Sequence, residues 1–196
     1  RFDYVITTRT PDQSEAPPNF RRLRQTRLFT LWRRDGATPA RGTLPGEVAA
    51  PGAVLDCTTP AGRALAARPG IARVRPAPVV NALPQEVLLP GSRRDVPFQL
   101  PAGRWTLSMG YTGPQALRLQ VPGLDAALPA NQDRPGPVFA LGSVTAPPGG
   151  LRGRMRLAID DPAPSFLSSP MHVTYAGHVV AMRTDVPART VPLRRA

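Results

Sequence analysis

Proline and glycine punctuate this chain so densely that long helices have little room to form. Its 196 residues include 26 prolines and 17 glycines. Proline removes a backbone donor from a helix interior and glycine weakens a helix, whereas both residues suit the turns between short strands. Hydrophobic residues still make up 41% of the chain, which is too apolar for a disordered segment. We therefore expect a folded, mainly β protein.

Alternating apolar and polar residues define the strands of the C-terminal part. Over residues 104–111 apolar side chains occupy every second position, and the pattern recurs over 96–100, 117–121 and 154–159. This period of two is typical of half-buried strands, and turn residues separate the runs. The alternation predicts an antiparallel β-sandwich of the jelly-roll kind over residues 84–196. The predicted core includes Phe98, Leu107, Leu119 and Leu157.

The first 83 residues are organised differently. Residues 2–7 resemble a strand, and the runs 20–24 and 27–32 predict a hairpin. Neither side of the second run is cleanly polar, so we expect both of its faces to be covered. Residues 35–55 are rich in glycine, proline and alanine, and residues 35–83 are interpreted as a connector with one short helix.

The helix signal begins at Thr59, which suits an N-cap, and Pro60, which suits the first helical position. Pro69-Gly70 ends the run. A helix of about two turns is stable only when it is packed against other elements. The one cysteine, Cys57, precedes this helix, and a small residue of this type predicts buried packing with a slow-reacting thiol.

The positive charge is large but dispersed. The net charge is +12, and all 25 basic residues are arginines. The arginine groups at 21–24 and 152–156 are short, and the second forms the polar side of an alternating strand. No basic helix, zinc-ligand spacing or aromatic RNA-binding motif accompanies them. The pattern favours solvated arginine faces over a nucleic-acid site, with membrane headgroups the better anionic partner.

Catalytic motifs are missing from the sequence. No Gly-x-Ser-x-Gly, phosphate-binding loop or dinucleotide fingerprint occurs. His172 and His178 do not form a compact metal motif with Asp160 and Asp161, and Asp160-Asp161-Pro162 predicts a turn. We expect no catalytic residue, metal or cofactor in this chain. An enzyme whose carboxylates meet only in the folded structure remains an open alternative.

Three aromatic residues in predicted strands are candidates for sugar binding: Trp105, Tyr111 and Tyr175. Trp105 and Tyr111 share their alternation with Leu107 and Met109, which also predicts a place in the core. Tyr175 neighbours polar residues and is the best candidate for an exposed stacking platform.

Two stretches of the chain resemble known sequences. The first comprises residues 2–9 (FDYVITTR), 17–21 (PPNFR) and 28–34 (LFTLWRR). It resembles the small extracytoplasmic α/β unit that follows the last membrane helices in actinobacterial multi-span membrane glycosyltransferases of the GT-C type. The second, residues 96–108 (VPFQLPAGRWTLS), resembles the carbohydrate-binding-like jelly roll that can follow that unit.

The resemblance implies that residues 1–34 belong to a partial α/β unit and that the chain is an extracytoplasmic, C-terminal piece of a cell-envelope protein. A missing N-terminal part would associate it with the membrane. The catalytic aspartates of such enzymes lie between membrane helices absent from this sequence, so no catalytic residue carries over.

The expected function is a non-catalytic accessory domain that contacts cell-wall polysaccharide or packs on the membrane module of the same protein. The alternative is a structural or protein-interaction sandwich without a glycan ligand.

Overall fold

The computed structural model describes residues 2–9, 16–38, 55–83, 86–131, 138–159 and 173–193. These residues are mainly β, as predicted. The elements in chain order are β1 (Tyr4–Thr8), β2 (Phe20–Gln25), β3 (Phe29–Arg34), α1 (Pro60–Ala66), β4 (Gly70–Val74), β5 (Val79–Asn81), β6 (Glu86–Leu88), β7 (Arg93–Leu100), β8 (Gly103–Thr112), β9 (Leu117–Val121), β10 (Leu124–Leu128), β11 (Val138–Ala146), β12 (Leu151–Ile159), β13 (Thr174–Arg183) and β14 (Arg189–Leu193).

Two antiparallel sheets form the predicted sandwich. One has the strand order β10-β9-β12-β7, and the other has the order β11-β8-β13-β5, with β6 also paired to β13. From β7 to β13, successive strands alternate between the two sheets, except that β9 and β10 form a hairpin within one sheet. This alternation is the jelly-roll topology. Pro122 and Gly123 form that hairpin's turn, where Gly123 adopts a φ of 83° that other residues rarely tolerate.

The core lies between the two sheets. The predicted set of Phe98, Leu107, Leu119 and Leu157 is buried, which confirms the alternation as a guide to the inner face. Side chains from both sheets fill this space, and the inner faces contain aliphatic residues with a few aromatic rings. Their removal from water is the main source of stability for a fold of this kind.

The boundary between the connector and the sandwich differs from the one expected at residue 84. β5 pairs with β13, so the sandwich sheet already includes Val79. At the other end, β14 leaves the sandwich and pairs with β4 in a separate two-stranded sheet. A three-residue strand is too short to show a period of two, which is why the pattern did not reveal β5.

α1 begins as predicted. The Thr59 hydroxyl accepts a hydrogen bond from the Gly62 amide at 3.1 Å, and Pro60 occupies the first turn. The helix ends at Ala66, two residues before the expected Arg68. Within the described ranges, no helix is both long and apolar enough to cross a membrane.

The N-terminal strands form a three-stranded antiparallel sheet with the order β1-β3-β2, which includes the predicted hairpin. Residues 2–9 and 16–38 contain no helix, so the described part of the expected α/β unit is entirely β. This sheet contacts the sandwich. The Phe29 ring meets Phe139 edge-to-face with centroids 6.0 Å apart, and Arg27 donates to the Ala127 carbonyl.

Candidate functional site

The three candidate aromatic residues have different environments. Trp105 and Tyr111 are each 3% exposed and belong to the core, so neither ring can offer a face to a sugar. The correction follows from β8, whose inner side packs against the second sheet. Tyr175 is 37% exposed and lies beside Val87 of β6 and Thr112 of β8. Of the three candidates, the structure leaves only Tyr175 accessible for stacking.

The buried hydroxyl of Tyr111 costs the core free energy of folding. This hydroxyl finds no hydrogen-bond partner among the described residues, while the Tyr111 ring packs on Phe139 with centroids 5.2 Å apart. Burial disfavours the phenolate and raises the Tyr111 pKa to about 12. The ring therefore serves packing.

Replacing Tyr111 with phenylalanine should stabilise the protein by about 1 kcal/mol, because an unpartnered buried hydroxyl costs free energy. The stability advantage of Tyr111→Phe over the wild-type protein should increase between pH 10 and 12. In that range the unfolded chain ionises its tyrosine, whereas the folded wild-type protein must keep Tyr111 neutral. Urea unfolding at neutral pH and at pH 11 measures both effects. The matched variant Tyr4→Phe, at an exposed position, should change stability little at neutral pH, and a loss of stability in Tyr111→Phe would contradict the prediction.

A shallow groove runs along one edge of the sandwich, where β5 of one sheet lies near β7 of the other. It consists of two adjoining depressions of about 450 and 480 Å³ that share Val79, Gln99 and Arg152. Volumes of this size are in the range of small-ligand pockets. The remaining lining residues are Val80, Asn81, Ala82, Pro97, Phe98, Leu100, Pro101, Ala102, Pro148, Gly149, Gly150 and Gly153.

Asn81 connects the two sheets beneath the groove. It is 6% exposed, and its Oδ1 accepts a hydrogen bond from the Gln99 backbone amide at 3.0 Å. Its Nδ2 is buried and has no partner among the residues that the structure describes. Buried amide donors are nearly always hydrogen-bonded in folded proteins. Asn81 therefore links the two sheets below the groove, and the exposed polar groups of the groove come from other residues.

Gln99 and Arg152 supply the exposed polar groups of the groove. They are directly opposite in the β7–β12 pair and therefore project from the same face. Arg152 is the one charged residue in the lining, and the lining contains no acidic residue and no histidine. The groove thus offers hydrogen bonds, one positive charge and apolar proline surfaces. It offers no side chain suited to general acid–base catalysis.

No local sequence pattern indicates the groove, because its residues come from separate strands. Gln99 and Arg152 appeared only as polar positions of alternating strands, and the three-residue β5 gave no signal for Asn81. The charge pattern around Arg152 was visible, but its pairing with Gln99 depends on sheet order. Only the folded arrangement brings these three side chains together.

The position of Cys57 at the surface contradicts its predicted burial. Its side chain is exposed, so the expectation of a buried thiol is wrong. The local reason is a surface turn ahead of α1, in which the Asp56 carboxylate accepts hydrogen bonds from the Thr58 amide and hydroxyl. These bonds lower the Asp56 pKa. The turn that supports the helix start also holds the cysteine at the surface.

Of the histidine and aspartate candidates, the structure describes only His178. Within the described ranges, no group of three or more histidine, cysteine or acidic residues is placed to bind an ion. His178 is half-buried, and its Nδ1 accepts a hydrogen bond from the Leu83 amide at 3.0 Å, which suits a structural role. His172, Asp160 and Asp161 lie outside the described residues.

Comparisons with known proteins do not assign the chain to a family. No protein-family model matches it, and no curated protein is significantly similar to it in sequence. Its function must therefore be inferred from the geometry of the groove and of the exposed surfaces.

Proposed function

We propose that this chain is a non-catalytic, extracytoplasmic accessory domain of a cell-envelope membrane glycosyltransferase and that it binds cell-wall polysaccharide. The observation that carries the binding proposal is the open groove between β5 and β7, with its amide and guanidinium groups. The sequence resemblance supplies the cellular context. The jelly-roll sandwich is compatible with it, since folds of this class include lectin domains.

An open groove suits a segment of a polymer. The two depressions adjoin, so a chain of several sugars would contact residues of both sheets. Sugar hydroxyls are both donors and acceptors, so they can form hydrogen bonds with the side-chain amide of Gln99 and the guanidinium of Arg152. The proline surfaces beside these groups provide apolar contacts for sugar C–H faces. Binding through a few exposed hydrogen bonds should be weak.

The lining also favours binding over cleavage. Glycoside hydrolysis ordinarily needs two carboxyl groups close to the scissile bond, and the groove has none. Tyr175 lies on β13, outside this lining, and represents a separate possible stacking position. The two positions make different predictions for mutants and can be separated by experiment.

Titrating the protein with soluble arabinan or galactan fragments, followed by NMR amide shifts, tests the proposal. We expect weak binding, with the largest shifts at Gln99, Arg152 and their strand neighbours. Gln99→Ala and Arg152→Ala should each weaken binding about three- to tenfold, the effect of losing one hydrogen bond. Arg93→Ala is the matched control, because Arg93 is an exposed β7 arginine outside the groove.

Two outcomes would contradict this site. Loss of binding in Tyr175→Ala with no effect of Gln99→Ala would move the glycan contact to the Tyr175 surface. Tight binding to a nucleic acid that weakens steeply with salt, without any response to a glycan, would end the polysaccharide proposal. Binding of a neutral glycan should change little between low and high salt.

A further inference from the structure

One face of the N-terminal sheet carries apolar side chains that stand in solvent. Phe2, Tyr4 and Ile6 alternate along the start of the chain and are 80%, 56% and 69% exposed. Scattered exposed apolar residues are normal, but Tyr4 and Ile6 of β1, with Phe2 just before the strand, lie at alternate positions and form a patch. The sequence pattern predicts that both faces of the run over residues 27–32 are covered. In the structure, Tyr4 and Ile6 on this face are exposed. At the other end of the face, Phe29 contacts Phe139 of the sandwich.

Three arginines share that face. Arg33 is directly opposite both Tyr4 of β1 and Arg21 of β2, so these residues form one row across the sheet. The next row contains Ile6, Leu31 and Arg24. Residues directly opposite in adjacent strands project to the same side.

A bulge in β2 makes this arrangement possible. Residues 21 and 24 are an odd number of positions apart and would face opposite sides of a regular strand. The register shift between Arg22 and Arg24 places both Arg21 and Arg24 on the same face. We call the surface of Phe2, Tyr4, Ile6, Arg21, Arg24 and Arg33 the N-terminal face.

No negative charge offsets these arginines within the sheet. The strands β1, β2 and β3 contain no acidic residue. The carboxylate of Asp3 pairs with Arg34 at 3.0 Å, and both residues belong to the opposite side by the same alternation. Arg21, Arg24 and Arg33 are exposed and form no ion pair with other described residues. The N-terminal face is therefore both apolar and positively charged.

We propose that the N-terminal face docks onto an anionic lipid surface. Its apolar side chains lie along the edge strand β1, where they can enter the boundary between headgroups and acyl chains. The arginines lie on β2 and β3, where they can reach lipid phosphates while tyrosine and phenylalanine occupy the interface. Nucleic acid fits less well, because Ile6 and Leu31 cannot stack on bases and would lie against phosphates. The inference uses no residue of the groove and stands apart from polysaccharide binding.

Vesicle co-sedimentation tests the proposal. The protein should bind vesicles containing phosphatidylglycerol, bind pure phosphatidylcholine vesicles weakly, and lose affinity as salt rises. The triple variant Arg21→Gln, Arg24→Gln and Arg33→Gln should weaken binding about a hundredfold, since each basic residue near the surface contributes roughly fivefold. Tyr4→Ser with Ile6→Ser should remove the binding that persists at high salt.

The matched control removes the same charge elsewhere. Arg93→Gln, Arg104→Gln and Arg189→Gln lower the net charge equally at exposed positions outside the N-terminal sheet. This variant should retain most vesicle binding. An equal loss in the control would show that overall charge drives the association and would overturn the proposal. Absence of vesicle binding, or salt-sensitive binding to nucleic acid alone, would also overturn it, and circular dichroism establishes that each variant is folded.

Discussion

Leu107→Ala should lower the free energy of unfolding by about 2–5 kcal/mol, the usual cost of truncating a buried leucine. Leu107 is fully buried in β8, a central strand between β11 and β13. It lies opposite Gly142 and Ala181 in the two adjacent strands, and these small residues cannot fill the space left behind. Small domains are stable by only about 5–15 kcal/mol, so this single change removes a large part of the total.

Urea unfolding followed by circular dichroism measures this effect. Leu89→Ala is the matched control, because the same side chain is truncated at a half-exposed position next to β6. We expect its effect to remain within about 0.5 kcal/mol, as is usual for surface substitutions. Equal losses at the two positions, or a helical spectrum in the wild-type protein, would contradict the assigned core.

The architecture was predictable wherever local sequence carries a period. The alternation over residues 104–111 identified the inner face of β8, because one side of each strand must be apolar when only that side is buried. The start of α1 was predictable for a different reason. A threonine N-cap followed by proline satisfies backbone groups locally, without help from the rest of the fold.

The errors have two sources, which are long-range strand pairing and the local course of a turn. β5 is three residues long and belongs to the sandwich only because β13 lies beside it. Cys57 looked like a core residue by type, but the surface turn before α1 determines its exposure. The alternation of Trp105 and Tyr111 correctly indicated the core, which removed two of three candidate sugar-binding rings. Tyr175 stays a prediction that only binding data can test.

The candidate sites are harder to predict than the fold because they combine residues from distant strands. Asn81 and Gln99 meet through a side-chain hydrogen bond between the two sheets. Arg21 and Arg24 share a face only because β2 contains a bulge. A period of two, applied without that bulge, places these arginines on opposite sides. Neither arrangement has a local sequence signature, so each requires the sheet register.

Gly113→Ala should also destabilise the protein strongly, by about 1–3 kcal/mol or more, because the site has no room for a side chain. Gly113 forms a backbone bridge with Asn131, which in turn donates from its side chain to the Tyr111 carbonyl at 2.7 Å. A Cβ at this position would overlap the Thr174 hydroxyl and lie 2.8 Å from the Thr174 Cβ and Cγ2. Thr174 is itself fully buried in β13 and cannot move aside cheaply.

Thermal and urea unfolding of two further variants isolates the steric cause. Gly149→Ala is the matched control, since a Cβ there meets no atom within 4 Å, and its effect should be small. Thr174→Ala removes two of the three overlapping atoms, so the Gly113→Ala change should cost less in its presence. Additive effects of the two substitutions would contradict a clash between these residues. A smaller cost of Gly113→Ala in the Thr174→Ala background would instead show that the clash lies between β13 and the residues that follow β8. These residues lie at the end of the sandwich, where Asn131 forms its bridge with Gly113.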